Sequence, residues 1–467
     1  MAVAVVGTSA ALWLGLRPGS RAPGAEASFA PCTYGGYVAA QCGSVAVPED
    51  PARPDAGTIA LHVAVLPAVV RPAAGALFYL EGGPGVAATA SAIEVNELFA
   101  QVGRRRDIVM VDQRGTGGSA RLACPDERVR ATDTAAVTGY LHRCFAQLHG
   151  DPRLDTTSVS ADDLEAVRRA LRYGKIDVYG GSYGATLAQA FLRAYPSSVR
   201  SVVLDSGSLP SARVYDLSPR NAEHALHLLL ARCARARTCH HDYPHTRAQL
   251  AELLMRPSRR VATQSGTVVL HADDVAWTVD ALSQTPDRAA AIPYVIDAAA
   301  HGDYTPLGQA YVDDVGPGLD ARARLATFWV ILCSEPWAAF DAASTARDGS
   351  GSYLAPAAVA RALLFRRACR VVPKGRVAAG GASDTVSTTP VLLLAGGADP
   401  LDPVGNLAGW RKAFPNGRLV VVAGAGHGAM AYECVQKLVA RFVAAASARG
   451  LDTSCARRVP LPAFEVG

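Results

Sequence analysis

The feature that most restricts this chain is Gly180-Gly181-Ser182-Tyr183-Gly184, set between the apolar run 175–179 and a stretch with helical spacing at Leu187, Phe191 and Leu192. A strand that gives way to a helix so abruptly needs a tight turn, and glycines beside the serine relieve the crowding of that backbone. The alternative is an ordinary glycine-rich structural turn. Short runs rich in Val, Leu and Ile recur at 75–80, 107–111, 201–204, 390–394 and 418–422, as strands covered on both faces should. Helical periodicity separates several of them, as in 162–172 with Leu164, Val167 and Leu171. This alternation predicts an α/β chain with a mostly parallel central sheet flanked by helices. Residues 57–67 instead alternate apolar and polar, like a half-buried strand of an N-terminal antiparallel ribbon.

The rhythm fails between about 211 and 385. That stretch is Ala-rich and helical, with a loop-like Gly349-Ser350-Gly351-Ser352 and a flexible region at Gly380-Gly381. A chain of 467 residues exceeds what one core usually serves. The expected organisation is therefore a core begun over 28–210, a helical cap inserted over 211–385, and the core completed over 386–467. Residues 2–16 are apolar but too short and too rich in small residues for a comfortable membrane span, and Ala25 and Ala27 follow in an A-x-A-like pattern. The expectation for 1–27 is a secretory signal cleaved after Ala27. No Lys or Arg precedes the apolar stretch, which leaves a retained N-terminal anchor as the alternative.

Half of the residues are apolar, enough for a large core, and the net charge of +5 comes from scattered basic residues, which argues against a nucleic-acid partner. The run Arg104-Arg105-Arg106 reads as a solvated turn. Ten cysteines, Cys32, Cys42, Cys124, Cys144, Cys233, Cys239, Cys333, Cys369, Cys434 and Cys455, form an even set suited to an oxidising compartment, secreted or in the periplasm or cell envelope. Pairing sequential neighbours is simplest, but spacing alone leaves connectivity open, and buried free thiols are the competing account.

A serine hydroxyl is a weak nucleophile near neutral pH, so Ser182 would need a base and an acid to orient that base. His427, in Gly424-Ala425-Gly426-His427-Gly428, directly follows the last apolar run. Asp399 follows the run before it, with Asp402 as the rival acid. The backbone N–H of Tyr183, at a helix N-terminus, can face an oxyanion. A second donor is expected from Glu81-Gly82-Gly83-Pro84-Gly85, and the N–H of Gly83 is our choice. His427 as base would lose activity as it protonates, roughly below pH 6 to 7.

Taken together, Gly82 to Gly85, Asp112-Gln113-Arg114-Gly115-Thr116-Gly117-Gly118-Ser119 and Gly180 to Gly184 resemble the motif series of the prolyl iminopeptidase and secreted tripeptidyl aminopeptidase family of α/β-hydrolase serine peptidases. Cys42 to Pro48 is similar to that group's opening motif. Gly426-His427-Gly428, Cys434-Val435 and Gly450 to Cys455 resemble its C-terminal segment, in which two cysteines bracket the final helix. The resemblance is weak over 211–385. It implies an α/β-hydrolase fold and hydrolysis of peptides from a free N-terminus, with an acidic group to hold the substrate ammonium. Glu335, in Ile331 to Trp337, is the residue carried over for that role; Glu81 is either a second anchor or a buried, hydrogen-bonded residue. Arg114 reads as structural. Cys239-His240-His241-Asp242 with His245 has the residue types of a metal site, but neither metal nor cofactor is expected. A carboxylesterase or lipase-like hydrolase on the same fold is the alternative.

Overall fold

The computed structural model describes residues 28–465, apart from 128, 317 and 320–322. The signal or anchor expected over 1–27 lies outside the described residues. Strands β1 (Ser28–Tyr34), β2 (Val38–Pro48), β3 (Thr58–Leu66), β4 (Ala76–Leu80), β5 (Asp107–Val111), β6 (Ile176–Gly181) and β7 (Val199–Asp205) come first. The hairpin β8 (Arg259–Thr263) and β9 (Gly266–Leu270) follows, then β10 (Val391–Gly396) and β11 (Arg418–Val422). All but the hairpin join one nine-stranded sheet in the order β1-β2-β3-β5-β4-β6-β7-β10-β11.

From β5 to β11 in that order every pairing is parallel, whereas β1, β2, β3 and β5 pair antiparallel. β4, β5 and β10 are buried along their whole length. Helices cover both faces, which is why these strands read as unbroken apolar runs instead of alternating. The helices Thr157–Ala170 and Tyr183–Ala194 pack with one face of the sheet around Leu164, Val178 and Phe191. Glu433–Ala445 lies with the opposite face around Leu77, Leu392 and Phe442.

One expectation is corrected here. Arg104 and Arg105 are exposed, but Arg106 is only 8% exposed. Its guanidinium donates to the Ala74 carbonyl at 2.8 Å and meets Asp177 at 2.9 Å. Asp177 is itself buried at the start of β6, so the third arginine is drawn inward to neutralise it. Arg114 is likewise structural: it forks onto Asp163 with two bonds of 2.7 Å and donates to the Glu49 carbonyl, tying the turn after β5 to the helix Thr157–Ala170. A planar guanidinium suits this bidentate grip.

The ten cysteines pair with their sequential neighbours: Cys32–Cys42, Cys124–Cys144, Cys233–Cys239, Cys333–Cys369 and Cys434–Cys455. Cys239 is thereby removed from any metal set. In the chain-entropy picture each bridge contributes roughly 2–4 kcal/mol, least for the short Cys233–Cys239 loop.

Between β7 and β10 the chain is mainly helical, including Val214–Arg235, Ala272–Leu282 and Ala355–Ala368, with a core of its own around Leu226, Val279, Ile296 and Leu354. The hairpin β8–β9 interrupts this helical run. Its strands are mostly exposed, so their sequence carries little alternation. The helix Ala326–Ser334 differs from its neighbours: Trp329, Val330 and Ile331 pack with β4, β6 and β10 residues in the main core.

Candidate active site

β4, β6, β7, β10 and β11 lie side by side and point the same way, so the loops after them emerge along one rim of the sheet. Residues up to 346 positions apart in sequence thus share a neighbourhood about four strand spacings wide. Ser182 follows β6, and its backbone sits in the left-handed region at φ +54°. A non-glycine residue held there costs on the order of 1–3 kcal/mol and persists only where its surroundings enforce it. The enforcement is visible. Ser182 N–H donates to the Asp205 carbonyl at 2.9 Å, and the helix Tyr183–Ala194 starts at the next residue. A Cβ on Gly180 would collide with the Gly184 carbonyl, and one on Gly184 with the Leu80 carbonyl, so both flanking glycines are required by close backbone approach.

The loop after β4 lies directly against this turn: a Cβ on Gly82 would come within 3.1 Å of Ser182 Cβ. Gly82 N–H donates to Glu81 Oε1 at 2.7 Å, while Tyr79 and Ser91 hydroxyls donate to Glu81 Oε2 at 2.9 and 2.5 Å. Both Glu81 oxygens are therefore engaged by its own neighbours. Among the described residues, neither Gly83 N–H nor Tyr183 N–H has an acceptor.

His427 follows β11, and its N–H donates to the Gln284 carbonyl at 2.6 Å. Its Nδ1 lies 3.0 Å from Asp399 Oδ2 and 3.2 Å from Oδ1. Asp399, 1% exposed, accepts the N–H groups of Leu401 and Asp402 on Oδ1 at 2.8 and 3.0 Å. Burial opposes its ionisation, but the His427 ring and these N–H groups outweigh it and hold its pKa below the usual aspartate range. Asp402, the rival acid, instead accepts from the Ser208 hydroxyl, and burial pushes it up to about 6. For His427, burial disfavours the charged ring, yet Asp399, Asp402 and Asp205 together raise its pKa to about 9.

Glu335 is 6% exposed, and among the described residues it forms no ion pair, although the Arg193 charge acts on it. Its Oε1 accepts Thr157 N–H at 3.2 Å, at the start of the helix Thr157–Ala170, and burial raises its pKa. The same carboxylate lines a cavity of about 290 Å³ with Arg193 and Trp337, a cavity that Ser182 and His427 do not line. Thr157 links the two places, because its hydroxyl also meets the Tyr183 hydroxyl at 3.0 Å.

Sequence reasoning missed Asp205, Ser206 and Gln284. Asp205 ends β7 as Asp399 follows β10, and its place after an apolar run was the available signal. Gln284 contributes only a carbonyl, which leaves no signature in a side chain.

A rim of this kind, with a serine on a strained strand-to-helix turn and an aspartate–histidine pair on neighbouring loops, is suited to nucleophilic attack on a carbonyl. Comparison with known proteins agrees in family. The tripeptidyl aminopeptidase of Streptomyces lividans is 32% identical over 192 residues, 37% of this chain and 36% of that protein. Serine protease Hip1 of Mycobacterium bovis is 30% identical over 223 residues, 43% of this chain and 42% of the relative. The proline iminopeptidase of Neisseria meningitidis is 31% identical over 128 residues, 27% of this chain and 31% of the relative. The matched segments thus span between 31% and 42% of these relatives' lengths. Residues 75–433, most of the chain, match the family described by the alpha/beta hydrolase fold, and the chain belongs to that family.

Proposed function

We propose that this chain is a serine peptidase that cleaves peptides from a free N-terminus through Ser182, His427 and Asp399. The observation that carries this reading is the 3.0 Å contact between His427 Nδ1 and buried Asp399, on the rim where Ser182 is held at φ +54°. Ser182 attacks the scissile carbonyl while His427 takes its proton; Gly83 and Tyr183 N–H groups stabilise the oxyanion. His427 then protonates the departing amine, and water attacks the acyl-enzyme to release the product and regenerate the serine. Gly82 N–H is already used by Glu81, which favours Gly83 as donor from that loop.

Peptides are favoured over esters by the names of the relatives, which are aminopeptidases and proteases. Glu335 is the carboxylate assigned to the substrate ammonium, on the strength of its burial and its link to Tyr183 through Thr157. Glu81, saturated by its own neighbours, holds the Gly82-Gly83 loop. The five disulfides support an oxidising residence, secreted or in the cell envelope. Among the described residues no helix is long and apolar enough to cross a membrane.

The reading is tested by comparing a free peptide, its N-acetylated form and a p-nitrophenyl ester. Acetylation is expected to lower kcat/KM roughly 100-fold or more, since an unpaired buried carboxylate costs about 3 kcal/mol or more. Equal rates for free and acetylated substrates would assign the chain to ester hydrolysis instead.

The pH dependence follows from the neighbours of His427. Its ring must be neutral to accept the serine proton, and three carboxylates favour its charged form up to a pKa of about 9. The acid limb of kcat/KM against pH is therefore expected above the unperturbed histidine value, on the alkaline side of neutrality. A limb between pH 6 and 7, as sequence alone suggested, would contradict this electrostatic account.

A further inference from the structure

Asp205 ends β7, between the strand that carries Ser182 and the strand that precedes Asp399. It is fully buried, and no step of the reaction above uses it. Its backbone carbonyl accepts Ser182 N–H at 2.9 Å. Its side chain reaches the other way, where Oδ1 accepts Ala429 N–H at 2.9 Å and Oδ2 accepts Met430 N–H at 3.0 Å. Ser206 adds a parallel tie: its N–H donates to the Leu394 carbonyl, and its hydroxyl oxygen accepts Gly428 N–H at 2.8 Å. The three consecutive N–H groups after His427 are thus all held from the end of β7. Tyr179 and Ser206 hydroxyls complete the Asp205 carboxylate at 2.9 and 3.1 Å.

Resting on the serine-hydrolase reading above, we propose that Asp205 is a positioning residue that locks the His427 loop to the Ser182 turn. One residue grips the nucleophile's turn through its main chain and the base's loop through its carboxylate, so the spacing between hydroxyl and imidazole is set by a single short lever. A carboxylate accepting several N–H and O–H donors inside a low-dielectric core is both strongly held and costly to disturb. Burial raises the Asp205 pKa, and the four donors oppose that by favouring the carboxylate. Among the described residues no cation pairs with it, so its charge acts on the ring nearby. Among the described residues the charges acting most on His427 are those of Asp399, Asp402 and Asp205, and all three favour the imidazolium. Asp205 therefore influences the base in position and in charge, without touching substrate.

Asp205→Asn keeps the shape but turns one acceptor into a donor that faces a backbone N–H. Displacement of a catalytic group by an ångström or less can cost up to 10²-fold, so kcat is expected to fall roughly 10- to 100-fold while KM changes little. Loss of the charge is expected to move the acid limb of kcat/KM to lower pH by about half a unit or more. A loop that is merely a structural support would lose stability without that shift. A folded Asp205→Asn protein with the wild-type kcat and limb overturns the proposal.

Should Asp205→Asn fail to fold, Ser206→Ala serves in its place. It removes both the acceptor of Gly428 N–H and one donor to the Asp205 carboxylate, so kcat is expected to fall several-fold; an unchanged kcat overturns the proposal. A fluorophosphonate probe separates the two levels of the argument. Wild-type protein that takes no label at Ser182 overturns the hydrolase reading itself, whereas wild type that labels and Asp205→Asn that labels equally fast overturns only the role of Asp205.

Discussion

Replacing Ser182 with alanine is expected to lower kcat by about 10⁴-fold or more, because the acyl-enzyme route is then closed and only binding and the oxyanion donors remain. The substitution is a clean one at this position. Alanine keeps the Cβ that already fits beside Gly82, and both residues pay a similar strain at φ +54°. Ser182 N–H still reaches the Asp205 carbonyl. Thermal unfolding should therefore be nearly unchanged while hydrolysis of a free peptide disappears, and labelling by a fluorophosphonate should vanish with it. A Ser182→Ala protein that turns over substrate at the wild-type rate would remove the nucleophile from this account.

Asp399→Asn is expected to cost a comparable factor, about 10⁴-fold in kcat, through the tautomer of His427. An asparagine at this position can still accept the Leu401 and Asp402 N–H groups, so the loop after β10 keeps its shape. Its amide nitrogen, however, presents a proton to Nδ1. The ring then carries its own proton on Nε2, facing the serine, and cannot accept another there. Asp402→Asn provides the contrast, because Asp402 bonds Ser208 rather than the ring. It should lose far less than Asp399→Asn, and its acid limb should move to lower pH because one of the charges that raise His427 is gone. If the two variants exchanged these behaviours, Asp402 would be the orienting acid.

The parallel strands were legible because burial on both faces writes itself as unbroken apolar runs, as in β4, β5 and β10, whereas β1 and β2 at the antiparallel edge were not read from sequence. The hairpin β8–β9 was not legible for the opposite reason. Exposed strands held by little packing keep no alternation to read. Arg106 illustrates a different limit. Three arginines in a row look like one solvated turn, and only the position of Asp177 on β6, two strands over from β5, explains why the third points inward. For Glu81, local sequence could not choose between anchor and support, and the hydroxyls of Tyr79 and Ser91 favour support.

The residue types at the rim and their order along the chain were determined by local rules that sequence carries unaided. A serine between glycines at a strand-to-helix junction, and small residues around a histidine after an apolar run, are conformational needs met within a few residues. Which carboxylate faces the imidazole, why three acids surround it, and how Asp205 ties residue 182 to residue 427 were decided by the strand order β6-β7-β10-β11. Such order brings together groups hundreds of positions apart, and the electrostatic field at the ring depends on those distances rather than on any spacing in the sequence.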